Sequence, residues 1–362
     1  MIEKCHILML NQDLTLELIK ELLKLDYTFI PKSLNGYPDT IEYKNENKWY
    51  KIEETKEIHG VKYFEAEAQM EISEGTPFYH DGTVKPKDKR VNRINVSVIF
   101  LELKISETKN LTCLLIEGTN KLLTNFKSNL LGGRRELKEI KDKWNLPKGV
   151  TYLNFSSEFF IWSLLKKEKK LDEELRIEDI NFIDDIHESH KRKHQTYGDN
   201  VLNDILANLA LALDPKLLSL GMVISSPIGK FNFILNSDGS IYLSDKTYLL
   251  SKDTQDVIPI DEEIKNTVYV YIYGHLLKQL LNMFYCERSQ IGWLSKKKGT
   301  FLREQGLNTF FKLSKHLDFH DEVIEIKNLE HDLEEKKVRE SILLLMNSMV
   351  KKYKIKEEEI FG

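Results

Sequence analysis

DNVLNDILANLALALDPKLLSLGMVISSPIGKFNFILNSDGSIYLS, residues 199–244, is the apolar stretch around which the rest of the chain is expected to pack. Asp199 or Asn200 can accept hydrogen bonds from the unpaired N–H groups in the first turn of a helix. Apolar side chains then recur at steps of three and four residues, which is the period of a helix face. They are Leu202, Ile205, Leu206, Leu209 and Leu213. Pro215 cannot continue the helix, so the pattern predicts a buried helix that ends before it.

The second half of the stretch predicts a short helix followed by strands. Pro215 can open a helix that ends at Gly221. Residues 222–226 and 230–235 then have the pattern of strands. The tetrapeptide 236–239, NSDG, is a strong turn signal, and it leads into a third strand at 240–244.

The composition fits a folded protein with a well-solvated surface. Of the 362 residues, 41% are hydrophobic and 30% are charged, and the formal net charge is −4. This sum excludes a general polyanion binder but leaves room for local basic patches. Cys5, Cys113 and Cys286 are far apart and form no CxxC pair, which argues against a disulfide framework or a cysteine zinc site and suits a reducing compartment.

No segment of the sequence has the pattern of a membrane span. Residues 268–285 form the most apolar long window, but His275, Lys278, Gln279 and Asn282 interrupt it. A membrane helix needs about 20 mostly apolar residues, and the apolar run at the N-terminus is too short for a signal peptide. We therefore expect a cytoplasmic protein that makes no membrane contact.

The order of the predicted elements indicates an α+β protein with two domains. Residues 94–105 and 111–117 predict a hairpin in the first part of the chain. Proline and glycine in the segment 145–149, NLPKG, interrupt the periodic patterns and mark a boundary. The expected fold is a strand-rich N-terminal domain followed by a mainly helical C-terminal domain containing a small antiparallel sheet. The domains would be residues 1–149 and 150–362, with the small sheet at about 222–244.

Four basic segments are the leading candidates for a functional surface. Lysine and arginine bind the phosphates of a nucleic-acid backbone, and each contact adds to the salt dependence of binding. The candidate residues are Lys85, Lys87, Lys89, Arg90, Arg93, Arg134, Arg135, Lys138, Lys191, Arg192, Lys193, Lys296, Lys297, Lys298 and Arg303. Trp144, Tyr197 and Trp293 lie near them in sequence and can stack on the bases of a single strand. The segments can equally be independent solvated loops, and a surface forms only if folding brings two or more of them together.

The tripeptide Glu102-Leu103-Lys104 supports an alternative function, a Mg²⁺-dependent nuclease. Enzymes with this spacing use the carboxylate to hold the metal ion and the lysine to stabilise developing negative charge. Asp81 or Asp88 would supply the second carboxylate. The same Glu-x-Lys spacing recurs elsewhere in the chain, so the motif has a high false-positive rate.

His187, His190 and His194 form a candidate Zn²⁺ site. On a continuous helix they would lie at i, i+3 and i+7, roughly on one face, where neutral imidazoles can bind the ion. Lys191, Arg192 and Lys193 lie inside this cluster and would repel a dication, so a basic loop is the alternative interpretation.

Together these patterns predict a non-enzymatic nucleic-acid-binding or adaptor protein that needs no cofactor. The sequence contains no GxxxxGK[ST] loop and no GxSxG nucleophile motif. The lack of a catalytic signature in so long a chain prompts the hypothesis of a role in a prokaryotic antiviral defence assembly. The nuclease is the first alternative. The second is a protein–protein or homo-oligomerisation module that uses an apolar helix at 342–350.

Overall fold

The computed structural model describes residues 4–10, 13–34, 44–73, 75–106, 109–144, 153–172, 174–187, 192–198, 201–204, 207–208, 211, 216–251, 254, 256–290 and 293–316. The chain forms two compact units. The first unit contains Met1–Asp179 and Ser219–Glu287, and the second contains Ile180–Leu218 and Arg288–Gly362.

Thirteen strands occur within the described residues, and all belong to one antiparallel sheet. They are β1 (Lys4–Met9), β2 (Lys48–Ile52), β3 (Lys56–Ile58), β4 (Val61–Ser73), β5 (Val91–Ser106), β6 (Lys109–Glu117), β7 (Arg176–His187), β8 (Arg192–Tyr197), β9 (Lys216–Ser226), β10 (Gly229–Asn236), β11 (Ile241–Leu243), β12 (Tyr248–Leu250) and β13 (Val257–Pro259). The main path through the sheet is β2-β4-β5-β6-β1-β11-β10-β9-β7-β8, and β3, β12 and β13 pair beside this path.

Eight α-helices lie within the described residues. They are α1 (Leu16–Leu23), α2 (Lys87–Arg90), α3 (Asn120–Leu130), α4 (Lys138–Trp144), α5 (Ser157–Leu165), α6 (Glu262–Tyr271), α7 (Leu277–Arg288) and α8 (Gly299–His316). A π-helical turn, Ile272–Leu276, joins α6 to α7. Four of the helices begin at a side-chain cap that accepts a hydrogen bond from the N–H three residues further on, namely Thr15, Thr119, Ser156 and Asp261.

One face of the sheet in the first unit packs against α1, α3 and α4. Alternate residues of β4, β5 and β6 point to this face and are buried, as the period of two requires. Phe64 and Phe100 stack with their ring centroids 5.0 Å apart, and Trp144 of α4 stacks on Phe100 at 6.4 Å. Trp144 also donates a hydrogen bond from Nε1 to the Tyr27 hydroxyl. These contacts make this layer an apolar core of the unit.

The opposite face of the same sheet packs against α6 and the π-helical turn, and Phe284 of α7 packs on Phe159 and Trp162 of α5. The single proton of the Tyr273 hydroxyl is shared between the backbone oxygens of Gly239, at 2.9 Å, and Cys5, at 3.2 Å, which belong to the turn before β11 and to β1. The Tyr269 hydroxyl reaches Glu117 at the end of β6. The first unit therefore has a sheet between two helical layers.

The predicted fold class is wrong. The strands expected to form a small sheet in a helical C-terminal domain extend the N-terminal sheet, because β11 pairs with β1 in the register Lys4↔Tyr242 and Cys5↔Ile241. The sequence pattern could not show this, since the two paired strands are more than two hundred residues apart in the chain. The predicted domain boundary at 145–149 lies outside the described residues, so it stays a prediction.

Within residues 199–244, the strands were predicted better than the helices. Strands β10 and β11 confirm the expected strands at 230–235 and 240–244. The short helix expected at 215–221 is wrong, because residues 216–221 begin β9, whose ladder with β10 continues to Ser219↔Asn236. Most of the long helix predicted at 199–213 lies outside the described residues. Its described part contains a 3₁₀ turn, Val201–Asn203, and a cap in which Asp204 Oδ1 accepts a hydrogen bond from Ala207 N.

In the second unit, the hairpin of β7 and β8 is the best described feature. Its ladder runs from Phe182↔Tyr197 to His187↔Arg192, and the rings of Phe182 and Tyr197 lie 4.5 Å apart. Among the helices of the described residues, none combines the length and the apolar composition that crossing a membrane requires.

Candidate functional site

The first basic segment lies in the connection from β4 to β5, at one end of the sheet. The carboxylate of Glu71 is buried there, with 1% of its side chain exposed, and it pairs with Lys87 Nζ and Arg93 Nε at 2.9 Å each. Its Oε2 also accepts a hydrogen bond from Glu46 N at 2.7 Å. Burial alone would raise the pKa of Glu71, but the hydrogen bonds from Glu46, Lys87 and Arg93 outweigh it and hold the pKa below its ordinary value.

A chain of contacts connects this end of the sheet to the second basic segment. Asn45 donates from Nδ2 to the backbone oxygen of Glu71, and Asn45 and Phe29 exchange two backbone hydrogen bonds. The guanidinium of Arg134 lies 4.7 Å from the centroid of the Phe29 ring, and its Nε donates to Asn129 Oδ1 at 2.6 Å. Asn45 and Phe29 therefore link two of the four predicted segments within the first unit.

The cations of these two segments differ in exposure. Arg93 remains 62% exposed although it pairs with Glu71, and the side chains of Lys89, Arg135 and Lys138 are exposed. Lys85 lies with Nζ 5.9 Å from the ring centroid of Tyr79, itself 47% exposed. Arg90 is buried, and only 19% of the Lys87 side chain is exposed. We call Lys85, Lys89, Arg93, Arg135 and Lys138 the sheet-end cationic surface.

The other two basic segments belong to the second unit. Lys191 lies outside the described residues, and Arg192 and Lys193 belong to β8. Lys296 and Lys297 are exposed in a π-helical turn, Trp293–Lys298, and Lys298 is partly buried. Arg303 is exposed on α8. These six described residues mark two further basic positions, one on β8 and one at the π-helical turn and α8.

Of the aromatic residues expected to stack on bases, Trp144 has no exposed face. It is completely buried between Phe100 and Tyr27, so it serves the core. Tyr197 is 67% exposed at the end of β8. Tyr79 and its neighbour Lys85 were not recognised as a pair, although an aromatic residue beside a run of lysines is the signal that would have indicated one.

The residues of the proposed nuclease centre are not brought together. Glu102 and Lys104 lie in β5, where Glu102 pairs with Thr112 in the ladder to β6. Asp88 lies in α2, immediately before the start of the same strand. The run from Val91 to Glu102 spans about 35 Å of extended chain, far more than one metal ion can bridge. Asp81, in the loop before α2, accepts hydrogen bonds from the Thr83 N–H and hydroxyl.

The two described residues of the proposed histidine cluster, His187 and His194, lie on a hairpin and not on a helix. His187 is the last residue of β7, His194 pairs with Asp185 within the β7–β8 ladder, and His190 lies outside the described residues. The i, i+3, i+7 spacing therefore does not place these described residues on one face of a helix. Among the residues that the structure describes, no group of three or more His, Cys, Asp or Glu side chains is placed to hold a metal ion. The apolar helix at 342–350, proposed for self-association, also lies outside the described residues.

An apolar cleft of about 550 Å³ opens in the first unit, and no sequence motif indicated it. Its walls come from β3, the β9–β10 turn, β12 and β13. Their apolar residues are Ile58, Pro227, Ile228, Leu249, Leu250 and Ile258. Its remaining lining residues include His59, Thr267 and Tyr271. A volume in this range is typical of sites for small molecules.

Two histidines and a tyrosine form an aromatic cluster at this cleft. The ring centroids of His59 and Tyr271 are 5.1 Å apart, those of His59 and His275 are 5.6 Å apart, and those of Tyr271 and His275 are 5.1 Å apart. On its other side, Tyr271 stacks on Phe231 at 5.1 Å. His275 belongs to the π-helical turn, a distortion that is frequent at functional sites.

His275 and Tyr271 are uncharged near neutral pH. Burial, and next the neighbouring His59, lower the pKa of His275 below its ordinary value, so this imidazole is neutral at pH 7. Burial raises the pKa of Tyr271, although a hydrogen bond with Ser226 opposes the shift, and the phenol stays protonated.

Comparison with known proteins finds no family model that matches the chain and no similar protein among those with curated descriptions.

Proposed function

We propose that this protein binds nucleic acid through the sheet-end cationic surface and acts as a non-enzymatic binding or adaptor protein of the cytoplasm. The observation that carries the proposal is the contact chain from Arg134 through Phe29 and Asn45 to Glu71. It links two basic segments that are far apart in sequence, which supports a common surface. Each cation that neutralises a phosphate releases counterions, so several cations on one surface add their contributions to the affinity. A role in antiviral defence stays a hypothesis from the sequence.

The residues of the two segments divide into a supporting group and a binding group. Glu71 holds Lys87 and Arg93 in place, so the guanidinium of Arg93 is oriented while most of it stays exposed. Lys87 forms ion pairs with Glu71 and, at 3.5 Å, with Glu46, so its charge is already neutralised. The five residues of the sheet-end cationic surface are then the phosphate ligands. An oriented cation loses less conformational entropy on binding than a mobile one.

Tyr79 favours a single strand over a duplex. Its ring is nearly half exposed and Lys85 lies beside it, so one position offers a stacking surface and a phosphate ligand. Stacking on an aromatic ring tolerates every base, and it needs a base that is not already paired. The proposal is therefore binding of single-stranded nucleic acid with little sequence preference.

The test is a salt titration of a charge-reversal variant. Fluorescence anisotropy with a labelled single-stranded oligonucleotide is measured between about 50 and 200 mM salt, where phosphate-dominated affinities fall steeply. The variant carries Lys85→Glu, Lys89→Glu, Arg135→Glu and Lys138→Glu. We expect its negative slope of log K against log salt to become less steep by about 3, since each lost contact to a single strand removes about 0.7 from the magnitude of the slope.

The matched control reverses four exposed lysines that are outside the contact chain. It carries Lys62→Glu, Lys169→Glu, Lys170→Glu and Lys246→Glu. Both variants change the net charge by the same amount, so a general electrostatic effect would weaken binding equally in the two. An equal loss in the control, or no binding by the wild type at the lowest salt concentration, would contradict the proposal.

A further inference from the structure

We infer that the apolar cleft of the first unit is a binding site for a neutral, flat, largely apolar small molecule. The inference is independent of nucleic-acid binding, because no residue of the sheet-end cationic surface lines the cleft. It depends on three features of the cleft: the charge of its lining, the ring cluster at one side, and the strand that borders it.

The lining selects a neutral ligand. Among the described residues that line the cleft, none is Asp, Glu, Lys or Arg. A charged ligand would lose its hydration there without gaining a partner of opposite charge, which disfavours its entry. An apolar body gains contacts with Ile58, Ile228 and Leu250, and a volume of about 550 Å³ accepts a molecule of several fused rings.

His59 is the feature that points to a specific ligand. It forms, with Gly60, the two-residue turn between β3 and β4, where Ile58 pairs with Val61. Both turn residues have positive φ, +48° for His59 and +76° for Gly60, as a type I′ hairpin requires. Asn, Asp or Gly is the usual residue in this turn, so the hairpin itself does not require an imidazole here. It instead adds a ring with two nitrogens beside Tyr271 and His275.

The ring cluster determines which ligand shape the cleft accepts and supplies one polar contact to the ligand. Tyr271 is held in place by Phe231 on one side and by the histidines on the other, so its orientation is fixed before a ligand arrives. Tyr271 itself is only 4% exposed, so the exposed ring of His59 is the surface on which a flat partner can pack, in offset-stacked or edge-to-face geometry. The exposed His59 imidazole then supplies a hydrogen bond to a polar group at the edge of the ligand.

The strand that borders the cleft argues against an extended peptide as the occupant. Strand β13, Val257–Pro259, pairs with β12 and is exposed along its length. A peptide that extends a sheet needs a continuous row of backbone N–H and C=O groups, and Pro259 has no N–H to contribute. The walls of the cleft therefore suit side-on packing of a compact molecule.

The experiment uses the full chain and the neutral, environment-sensitive dye Nile red. We expect a saturable rise in fluorescence that the variant Ile228→Trp abolishes, because the larger side chain fills the cleft. The variant His59→Asn keeps a residue suited to the turn and removes the imidazole. We expect it to weaken binding by about 2- to 10-fold, the effect of losing one hydrogen bond.

Two controls keep the test decisive. Val257→Trp adds the same side chain as Ile228→Trp at a position that is 60% exposed and outside the lining, and it should leave dye binding unchanged. Circular dichroism and the thermal midpoint show whether each variant is folded. Dye binding that is not saturable, or that persists in folded Ile228→Trp, would overturn the inference. Tighter binding of the anionic dye anilinonaphthalene sulfonate than of Nile red would overturn the neutral class of ligand.

Discussion

At the end of β4, one buried carboxylate is shared by two cations that the sequence analysis assigned to phosphate binding. Glu71 lies directly across from Arg93 in the β4–β5 ladder, and Lys87 reaches it from α2. The run of lysines and arginines is visible in the sequence, whereas this pairing depends on the strand register. The sequence therefore indicates the basic segment, but it does not show which of its residues are held in ion pairs and which remain available to bind phosphate.

The variant Glu71→Gln should destabilise the protein. Removing the carboxylate leaves Lys87 and Arg93 close together without their common partner. Breaking a fully buried pair costs roughly 3–5 kcal/mol, and because Arg93 is largely exposed we expect about 2 kcal/mol, measured by urea unfolding. Glu67→Gln, which removes an exposed partner of Lys51, is the matched control and should change stability little. A Glu71→Gln variant as stable as that control would contradict the assignment.

The same residue predicts a dependence of stability on pH. The pKa of Glu71 is lower in the folded protein than its ordinary value, so the unfolded chain binds a proton more readily. Its contribution is complete above the unfolded pKa of about 4.3 and is lost as the pH falls through the folded pKa. The stability difference between wild type and Glu71→Gln should therefore shrink as the pH falls below about 4. A stability difference between wild type and Glu71→Gln that does not change with pH would show that ionisation of Glu71 is not its cause.

At the scale of elements, the sequence predicted strands more reliably than helix boundaries. The expected hairpin at 94–105 and 111–117 is confirmed by β5 and β6, where apolar residues alternate. The segment 215–221 has a proline at one end and a glycine at the other, a pattern that is also typical of the two ends of a short helix. Pairing with β10 decides the outcome, because Leu217, Leu220 and Met222 become buried in β9. Tertiary contacts override local propensity here.

The contact between the π-helical turn and β4 gives the next prediction. A Cβ atom at Gly274 would lie 2.6 Å from Val61 Cγ2, so the turn approaches the sheet more closely than any side chain allows. Gly274→Ala should destabilise the protein by about 1–3 kcal/mol through overpacking, measured by thermal or urea unfolding. Val61→Ala removes the obstructing methyl groups. The double variant should therefore lose less stability than the sum of the two single variants.

If the two losses are simply additive, the clash does not occur and the close approach is not the reason for a glycine at this position. The same single and double variants also test ligand binding in the cleft, because the π-helical turn carries His275. A shifted turn should weaken Nile red binding in Gly274→Ala, and the double variant should recover part of it.

At the scale of the whole molecule, what the sequence could not reveal is which distant segments are joined. The cleft collects residues from β3, the β9–β10 turn, β12, β13 and α6, and none of these segments carries a recognisable motif. The sheet-end cationic surface depends likewise on a contact between Arg134 and Phe29. Composition and periodicity report local structure, while both candidate sites are products of long-range pairing.

The long-range pairing makes a prediction about fragments. In the first unit, β1 pairs with β6 on one side and with β11 on the other, and the Tyr273 hydroxyl bonds to Cys5 and Gly239 across that junction. A fragment of residues 1–149 lacks β11 and the whole layer of α6 and α7. Side chains such as Ile7, Leu101 and Leu115, which are buried in the full chain, would lose that cover. We expect this fragment to associate and to unfold without a cooperative transition.

Residues 1–287 contain every segment of the first unit, so this longer fragment should keep a cooperative transition in circular dichroism and calorimetry. Size-exclusion chromatography separates the two cases, because an uncovered β1 edge and sheet face promote self-association. A monomeric 1–149 fragment with a sharp transition would show that the N-terminal strands form an independent domain after all. It would also mean that β11 and the α6–α7 layer add to a finished core, whereas the hydrogen bonds of Tyr273 indicate that they complete it.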